Sequence, residues 1–241
     1  MKKLSNFNKI WFAMKKIYLI RHAQSESNAA INIRPNPKIN LTPLGKNQAE
    51  ILSDWLLHHI TEPIEEIFVS NYVRTQQTAE PFLNKVKRQA SILEDLHEFD
   101  YLDFHHIKDL SFAQLKQKTD DFWQVNDIYH KDSQNTESFW SFAGRVMNAR
   151  AYFDGLNAGT YVVFGHGMWL GMLIWQLLHG DGSRVMDMER FRTFELSIRP
   201  KNTEIYLLLW TVRLVLPKCE CAVMSSCKVI NRRVNECIIT K

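Results

Sequence analysis

Three times the chain follows a short apolar run with an arginine or histidine within a few residues, and a helical stretch comes after. Lys16-Ile17-Tyr18-Leu19-Ile20 is rich in strand formers and gives way to Arg21-His22. Ile64 to Ser70, centred on Ile67-Phe68-Val69, is followed by a helix from about Tyr72 that carries Arg74. Tyr161-Val162-Val163-Phe164 is broken by Gly165-His166-Gly167, and a helix follows over Met168 to Leu178. Runs this uniformly apolar read as strands buried on both faces, and their alternation with helices implies a largely parallel sheet covered on both sides. The expected fold is therefore α/β, a three-layer α/β/α sandwich with a mostly parallel central sheet. Such sheets bind ligands where loops leave the carboxyl ends of their strands, which is where Arg21, His22, Arg74 and His166 stand.

The remaining elements fit around this core. Thr42 is placed to cap a helix with Pro43 at its first position, and Ala49, Leu52, Leu56 and Ile60 give that helix an apolar stripe. The next helix is expected to end or kink near Pro81. Ser91-Ile92-Leu93 is a weak strand, Thr136 is positioned to cap a helix reaching about Phe153, and Thr203 to Trp210 reads as the final strand. Residues 14–212 form the expected domain, with a lid-like helical excursion over about 99–135 that holds Phe99, Tyr101, Phe104, Phe112, Phe122, Trp123 and Tyr129. Met14-Lys15-Lys16-Ile17 echoes Met1-Lys2-Lys3-Leu4, so residues 1–13 read as an N-terminal extension.

Charge and cysteine concentrate at the other end. The formal net charge is +4, and residues 213–241 hold six basic and two acidic groups, which is the whole excess. A neutral body with a basic tail argues against a nucleic-acid surface. All four cysteines, Cys219, Cys221, Cys227 and Cys237, lie in this tail, without the paired knuckles of common zinc sites, and it reads as an irregular segment of reduced thiols. Met168 to Leu178 is shorter than the roughly 20 residues needed to span a bilayer. Ser5-Asn6-Phe7-Asn8-Lys9 interrupts any apolar core of a signal peptide, so a soluble, cytoplasmic protein is expected. His58-His59 and His105-His106 are adjacent pairs whose side chains diverge by about 100° on a helix, which suits surface positions and not a shared metal.

Arg21, His22, Arg74 and His166 together suit phosphoryl chemistry. Arginine forks bind the equatorial oxygens of a phosphoryl group with paired, charge-assisted hydrogen bonds. A neutral imidazole can attack phosphorus if its other nitrogen is held by an acceptor. A second histidine, when protonated, stabilises the spreading negative charge, and a carboxylic acid must protonate the departing alkoxide.

The motifs resemble those of the histidine phosphatase superfamily, the phosphoglycerate mutase-like family. Arg21-His22-Ala23-Gln24-Ser25-Glu26-Ser27-Asn28 is similar to its opening R-H-G/A-x-S/T-x-x-N pattern. Leu41-Thr42-Pro43-Leu44-Gly45-Lys46-Asn47-Gln48-Ala49 is similar to its L-T-x-x-G-x-x-Q-A stretch, and Ser70-Asn71-Tyr72-Val73-Arg74-Thr75-Gln76-Gln77-Thr78-Ala79 to its S-x-x-x-R-x-x-Q-T-A stretch. Gly165-His166-Gly167 matches its late G-H-G, and the resemblance covers roughly residues 15–210. It implies that His22 is the phosphorylated nucleophile, that Arg21, Arg74, His166 and Gly167 form the phosphate pocket, and that Asn28 touches phosphate or substrate. Glu98, before Phe99, is the best match to the family's acid, with Glu94 as second choice. No metal and no redox cofactor is implied. Family mutases often carry a Glu-Arg-x-Tyr-Gly type stretch at the acid. Here Glu98-Phe99-Asp100-Tyr101-Leu102 departs from it, which favours a phosphatase of small phosphate esters over a mutase-type phosphotransferase or a weakly active phospho-ligand binder. The aromatic excursion is expected both to pack on the sheet and to shape leaving-group choice.

Overall fold

Side-chain alternation along the first strand determines how the sheet is covered. The computed structural model describes residues 11–180, 183–215, 230–231 and 237–240. In β1 (Trp11–Arg21), Ile17 and Leu19 face one layer while Tyr18 and Ile20 face the other. On the Tyr18 side lie α1 (Pro43–His59) and α2 (Val73–Val86), whose Leu52, Leu56, Ala79 and Phe82 pack on Val69 of β2 (Ile64–Val69) and Phe164 of β4 (Gly159–Gly165). The other face is covered by α4 (Phe112–Gln124), α5 (Phe139–Gly155), α6 (Gly167–His179) and α7 (Met188–Ile198). A two-residue β3 (Ser91–Ile92) and a one-turn α3 (Phe104–Ile107) precede α4. The strand order is β3-β2-β4-β1-β5-β6, with β5 (Ile205–Val215) antiparallel to β1, β6 (Ile230–Asn231) paired to β5, and β7 (Cys237–Thr240) also paired to β5. The three-layer α/β/α sandwich expected from the alternation is what forms.

The parallel strands run with matched ends. Arg21 pairs with Gly165, Phe164 with Val69, and Val69 with Ile92. His22, His166, Ser70 and Leu93 therefore leave the sheet at one rim.

Several expectations need correcting. The second helix neither ends nor breaks at Pro81 but runs to Val86, closed by Lys87 in the left-handed conformation at φ 52°. Buried Ala79 and Phe82, either side of Pro81, hold the helix through the missing hydrogen bond. The cap of α5 is Ser138, which forms a reciprocal capping box with Ser141, while Thr136 Oγ1 accepts from Ser133 N at 3.1 Å and closes the preceding turn. Both β1 and β5 are longer than their apolar runs because they pair with each other from Trp11↔Leu214 onward. The C-terminal segment contributes β6 and β7 to the sheet, and Cys237 lies in β7, while Cys219, Cys221, Cys227 and residues 1–10 of the expected extension lie outside the described residues. The aromatic excursion is continuous with the main core: Phe99 stacks on Phe142 of α5 at 4.4 Å between centroids, and Phe122 and Trp123 are buried with it.

Gly45 shows how tightly α1 meets the loop after β1. A Cβ there would lie 2.0 Å from the Gln24 carbonyl oxygen, a backbone atom that cannot swing aside. Gly45→Ala is therefore expected to destabilise the protein by about 1–3 kcal/mol, read from the midpoint of urea unfolding. An unchanged midpoint would contradict this packing.

Candidate active site

His22 stands one residue past β1, and its backbone N–H continues the strand pairing by donating to Gly165 O at 3.0 Å. Its Nδ1 lies 2.7 Å from Ala23 O. A carbonyl can only accept, so Nδ1 carries the proton and Nε2 keeps its lone pair, which receives Arg74 Nε–H at 3.2 Å. Three motif side chains hold this loop: Thr78 Oγ1 accepts from Ala23 N, Gln48 Oε1 from Gln24 N, and Gln77 Oε1 from Leu41 N, at 2.8–3.0 Å. Burial, then the charges of Arg74 and Arg21, hold the His22 pKa well below the usual histidine value, against a smaller upward pull from Ala23 O. The ring is neutral at physiological pH.

His166 is the N-cap residue of α6 and is fully buried. Its ring meets His22 edge-on with centroids 5.3 Å apart, and Nε2 bonds Ser70 Oγ at 2.9 Å. Burial, then Arg74, also depresses its pKa strongly, so His166 is neutral. Arg74 enters from the first turn of α2. Its Nη1 donates to Asn36 O at 2.7 Å and its Nη2 to Asn36 Oδ1 at 3.0 Å. Arg21 donates through Nη1 to Pro200 O. Gly167 lets that guanidinium lie against the start of α6, since a Cβ there would be 3.0 Å from Arg21 Nε. Burial lowers the Arg21 pKa and pushes Arg74 down to about 10. Neither guanidinium has a carboxylate partner among the described residues, and Arg21 Nε and His166 Nδ1 are buried without any partner there. Two desolvated cations without carboxylate partners, one with an unmet Nε, beside a neutral imidazole are complementary to an anion.

Glu98 lines a cavity of about 220 Å³ with Arg21 and Gly167. Its Oε2 accepts from Met168 N and its Oε1 from Trp169 N, both at 3.0 Å, so it sits on the N-terminus of α6. Oε1 also accepts from Phe99 N at 3.1 Å, so Oε2 is the oxygen that keeps a second lone pair for the cavity. Arg145 of α5 fixes the segment bearing Glu98: Nη1 donates to Asp95 O at 2.9 Å and His97 O at 2.7 Å. The same guanidinium grips both carboxylate oxygens of Glu137 at 2.8 Å. Burial would raise the Glu137 pKa, but bonds from His97 and Arg145 hold it down at about 2.

The structure brings His22, Arg21, Arg74, His166, Gly167 and Glu98 together. It does not bring in Glu94, which is exposed and accepts from Asn71 Nδ2 at 2.6 Å. Asn28 is exposed, and its Oδ1 braces the loop by accepting from Ser25 N at 3.2 Å and Asn202 Nδ2 at 3.0 Å. His58, His59, His105 and His106 are exposed, and among the described residues no group of three or more His, Cys, Asp or Glu side chains is arranged to hold a metal. Sequence reasoning missed Asn36 and Arg145, and gave Ser70, the first residue of the S-x-x-x-R motif, no role at the site. Asn36 sits in Pro35-Asn36-Pro37, which reads only as a turn, and Arg145 stood inside a helix with nothing local to mark it.

The depressed histidine pKa values have a fixed sign. As pH falls below the ordinary histidine value of about 6.5, the unfolded chain takes up protons that native His22 and His166 refuse. Their contribution to stability is present above that pH and is lost below it. Titration by NMR is expected to show both rings neutral at pH 6, and a midpoint for His22 at or above 6.5 would contradict the electrostatics described.

Comparison with known proteins gives the family of the chain. A Hydrogenobacter thermophilus protein, provisionally named phosphoserine phosphatase 2, is 27% identical over 172 residues, which is 70% of this chain and 81% of that one. A Mycobacterium tuberculosis PE-PGRS family protein is 35% identical over 102 residues, 41% of this chain and only 17% of its own length. A phosphoserine phosphatase from Entamoeba histolytica, solved with 3-phosphoglyceric acid, superposes with a TM-score of 0.59 at 23% identity, over 80% of this chain and 90% of that one. The family model for the histidine phosphatase superfamily (branch 1) matches residues 17–212, which contain every motif at the rim, and the chain belongs to that superfamily.

Proposed function

We propose that the protein is a metal-independent phosphomonoesterase that acts on a small phosphorylated metabolite through phospho-His22. The observation that carries this reading is the neutral, oriented His22 flanked by the buried Arg74 and the half-buried Arg21, neither of which has a carboxylate partner among the described residues. Arriving phosphate oxygens take the unmet Arg21 Nε and the Arg74 fork. Arg74 then releases His22 Nε2, which attacks phosphorus. The N–P bond forms, the P–O ester bond breaks, and Glu98, protonated for this step, gives its proton to the leaving oxygen. In the second step a water gives its proton to the Glu98 carboxylate and attacks phosphorus, which frees His22 and inorganic phosphate. His166 starts neutral, and the dianion beside it favours its protonation, which adds positive charge as the transition state forms.

The neighbours named as phosphatases support the hydrolytic reading over transfer to a second hydroxyl. No helix among the described residues is long and apolar enough to cross a membrane, and we place the substrate among cytoplasmic metabolites.

Hydrolysis of an aryl phosphate is expected to survive excess EDTA and to vanish in His22→Ala. Glu98→Gln is expected to lose about 10²–10⁴ in kcat with an alkyl phosphate and far less with the aryl ester, whose leaving group needs no proton. Activity abolished by EDTA, or retained in His22→Ala, would contradict the mechanism.

A further inference from the structure

Beyond Glu98 the cavity continues to a second charged wall that the phosphate chemistry does not use. It is lined by Arg192 and Glu195 of α7 and by Arg199 just after it, and Tyr101 and Thr119 belong to the same wall. Glu195 is 2% exposed and packs against α6, its Cγ 3.3 Å from where a Cβ on Gly171 would lie. It ties the two arginines together: its Oε1 accepts from Arg199 Nε, and its Oε2 from Arg199 Nη2 and Arg192 Nη1, all at 2.9 Å. Arg192 also lies over the Trp123 ring, 4.7 Å from its centroid. One carboxylate is thus shared by two guanidiniums, and Arg199 Nη1 and Arg192 Nε and Nη2 meet no acceptor among the described residues. Across the whole cavity, Arg21, Arg192 and Arg199 face only Glu98 and Glu195.

We propose that Arg192 and Arg199 form a subsite for an anionic group, a carboxylate or a second phosphate, on the leaving group of the substrate. The inference rests on the phosphomonoesterase reading and narrows it to small esters of acidic alcohols. Size is compatible with a small ester, since about 220 Å³ is below the roughly 300–1,000 Å³ of pockets for drug-sized ligands. Connectivity agrees too, because Arg21, Glu98 and Gly167 line this cavity. The separate groove of about 420 Å³ around Asn32, Pro35, Phe104 and Phe112 includes none of Arg21, His22, Arg74, Glu98 and His166. Glu195 holds the arginines in place beforehand, so little side-chain order has to be created on binding. Arg199 also feels the charge of Glu98, as expected if the subsite lies within reach of the ester oxygen.

The test compares carboxypropyl phosphate with its neutral isostere carbamoylpropyl phosphate, and with butanediol bisphosphate. The carboxylate or the bisphosphate is expected to exceed the carboxamide in kcat/KM by about tenfold or more, the scale of one charge-assisted hydrogen bond. Which of the two leads identifies the anion. Arg199→Gln and Arg192→Gln are each expected to collapse that ratio, and Arg199→Lys to keep part of it. Arg199 is 46% exposed at its side chain, so its replacement tests the ratio even if Arg192→Gln fails to fold. Binding of the same three esters to His22→Ala, followed by calorimetry, reads the subsite without turnover. Equal binding and equal turnover of charged and neutral esters would overturn the subsite, as would a preference that survives both glutamine variants. Anion-selective binding without hydrolysis by the wild type would uphold the subsite and overturn the phosphatase reading instead.

Discussion

The candidate active site depends on one constraint, the unstaggered parallel pairing of β3, β2, β4 and β1. With Val69 opposite Phe164 and Arg21 opposite Gly165, the residues that follow these strands have no choice but to share a rim. A slip by one residue would turn Ile17 and Leu19 out of one core and Tyr18 and Ile20 out of the other, so burial on both faces locks the register. The core that holds the sheet is therefore also what places His22 beside His166, with 5.3 Å between ring centroids. Lys15 shows the same economy: almost fully buried in β1, it donates to Phe153 O at 2.6 Å and Asp154 O at 3.1 Å, near the C-terminal end of α5.

The electrostatics of the rim run against stability and in favour of anion binding. Burying a guanidinium without a carboxylate partner is costly, and the downward push on Arg74 is the mark of that cost. Asn36 partly meets it by offering a carbonyl and an amide oxygen to the same fork. Burial, and next to it the charge of Arg74, keeps both imidazoles neutral. An incoming phosphate dianion would relieve the arginines and favour a proton on His166, while His22 keeps its lone pair as long as Ala23 O holds Nδ1–H. The same charges thus prepare the nucleophile and select the ligand. Arg145 and Glu137 extend this order outward by fixing the backbone on either side of His97, the segment that carries Glu98.

What was readable in the sequence follows from these terms. Arg21, His22, Arg74 and His166 each read alone as an ordinary loop, turn or helix-start residue, and it is their recurrence after buried strands, in the order of the family pattern, that joins them. Glu98 was separable from Glu94 only by the residue after it, and geometry supports that choice through the cavity it shares with Arg21. Asn36 could not be found, because its partner Arg74 lies 38 residues away and a turn flanked by prolines carries no hint of it. Arg145 was hidden for the same reason, since the carbonyls it holds are 48 and 50 residues distant. Pro81 and Thr136 misled because local propensity is weaker than the burial of Ala79 and Phe82 and the reciprocal bonds of Ser138 and Ser141. The arginine pair of α7 gave no signal, since arginines spaced around a glutamate on a helix usually form a solvated ion-pair face.

The central claim is that His22 is the nucleophile that accepts the phosphoryl group, and the most direct measurement is to trap its phosphorylated form. Enzyme mixed with an aryl phosphate and quenched in base within one turnover is expected to carry one acid-labile phosphate, located by peptide mass spectrometry on His22 and absent from His22→Ala. Phosphate found on another residue, or a first turnover that releases inorganic phosphate with no labelled enzyme, would contradict the account.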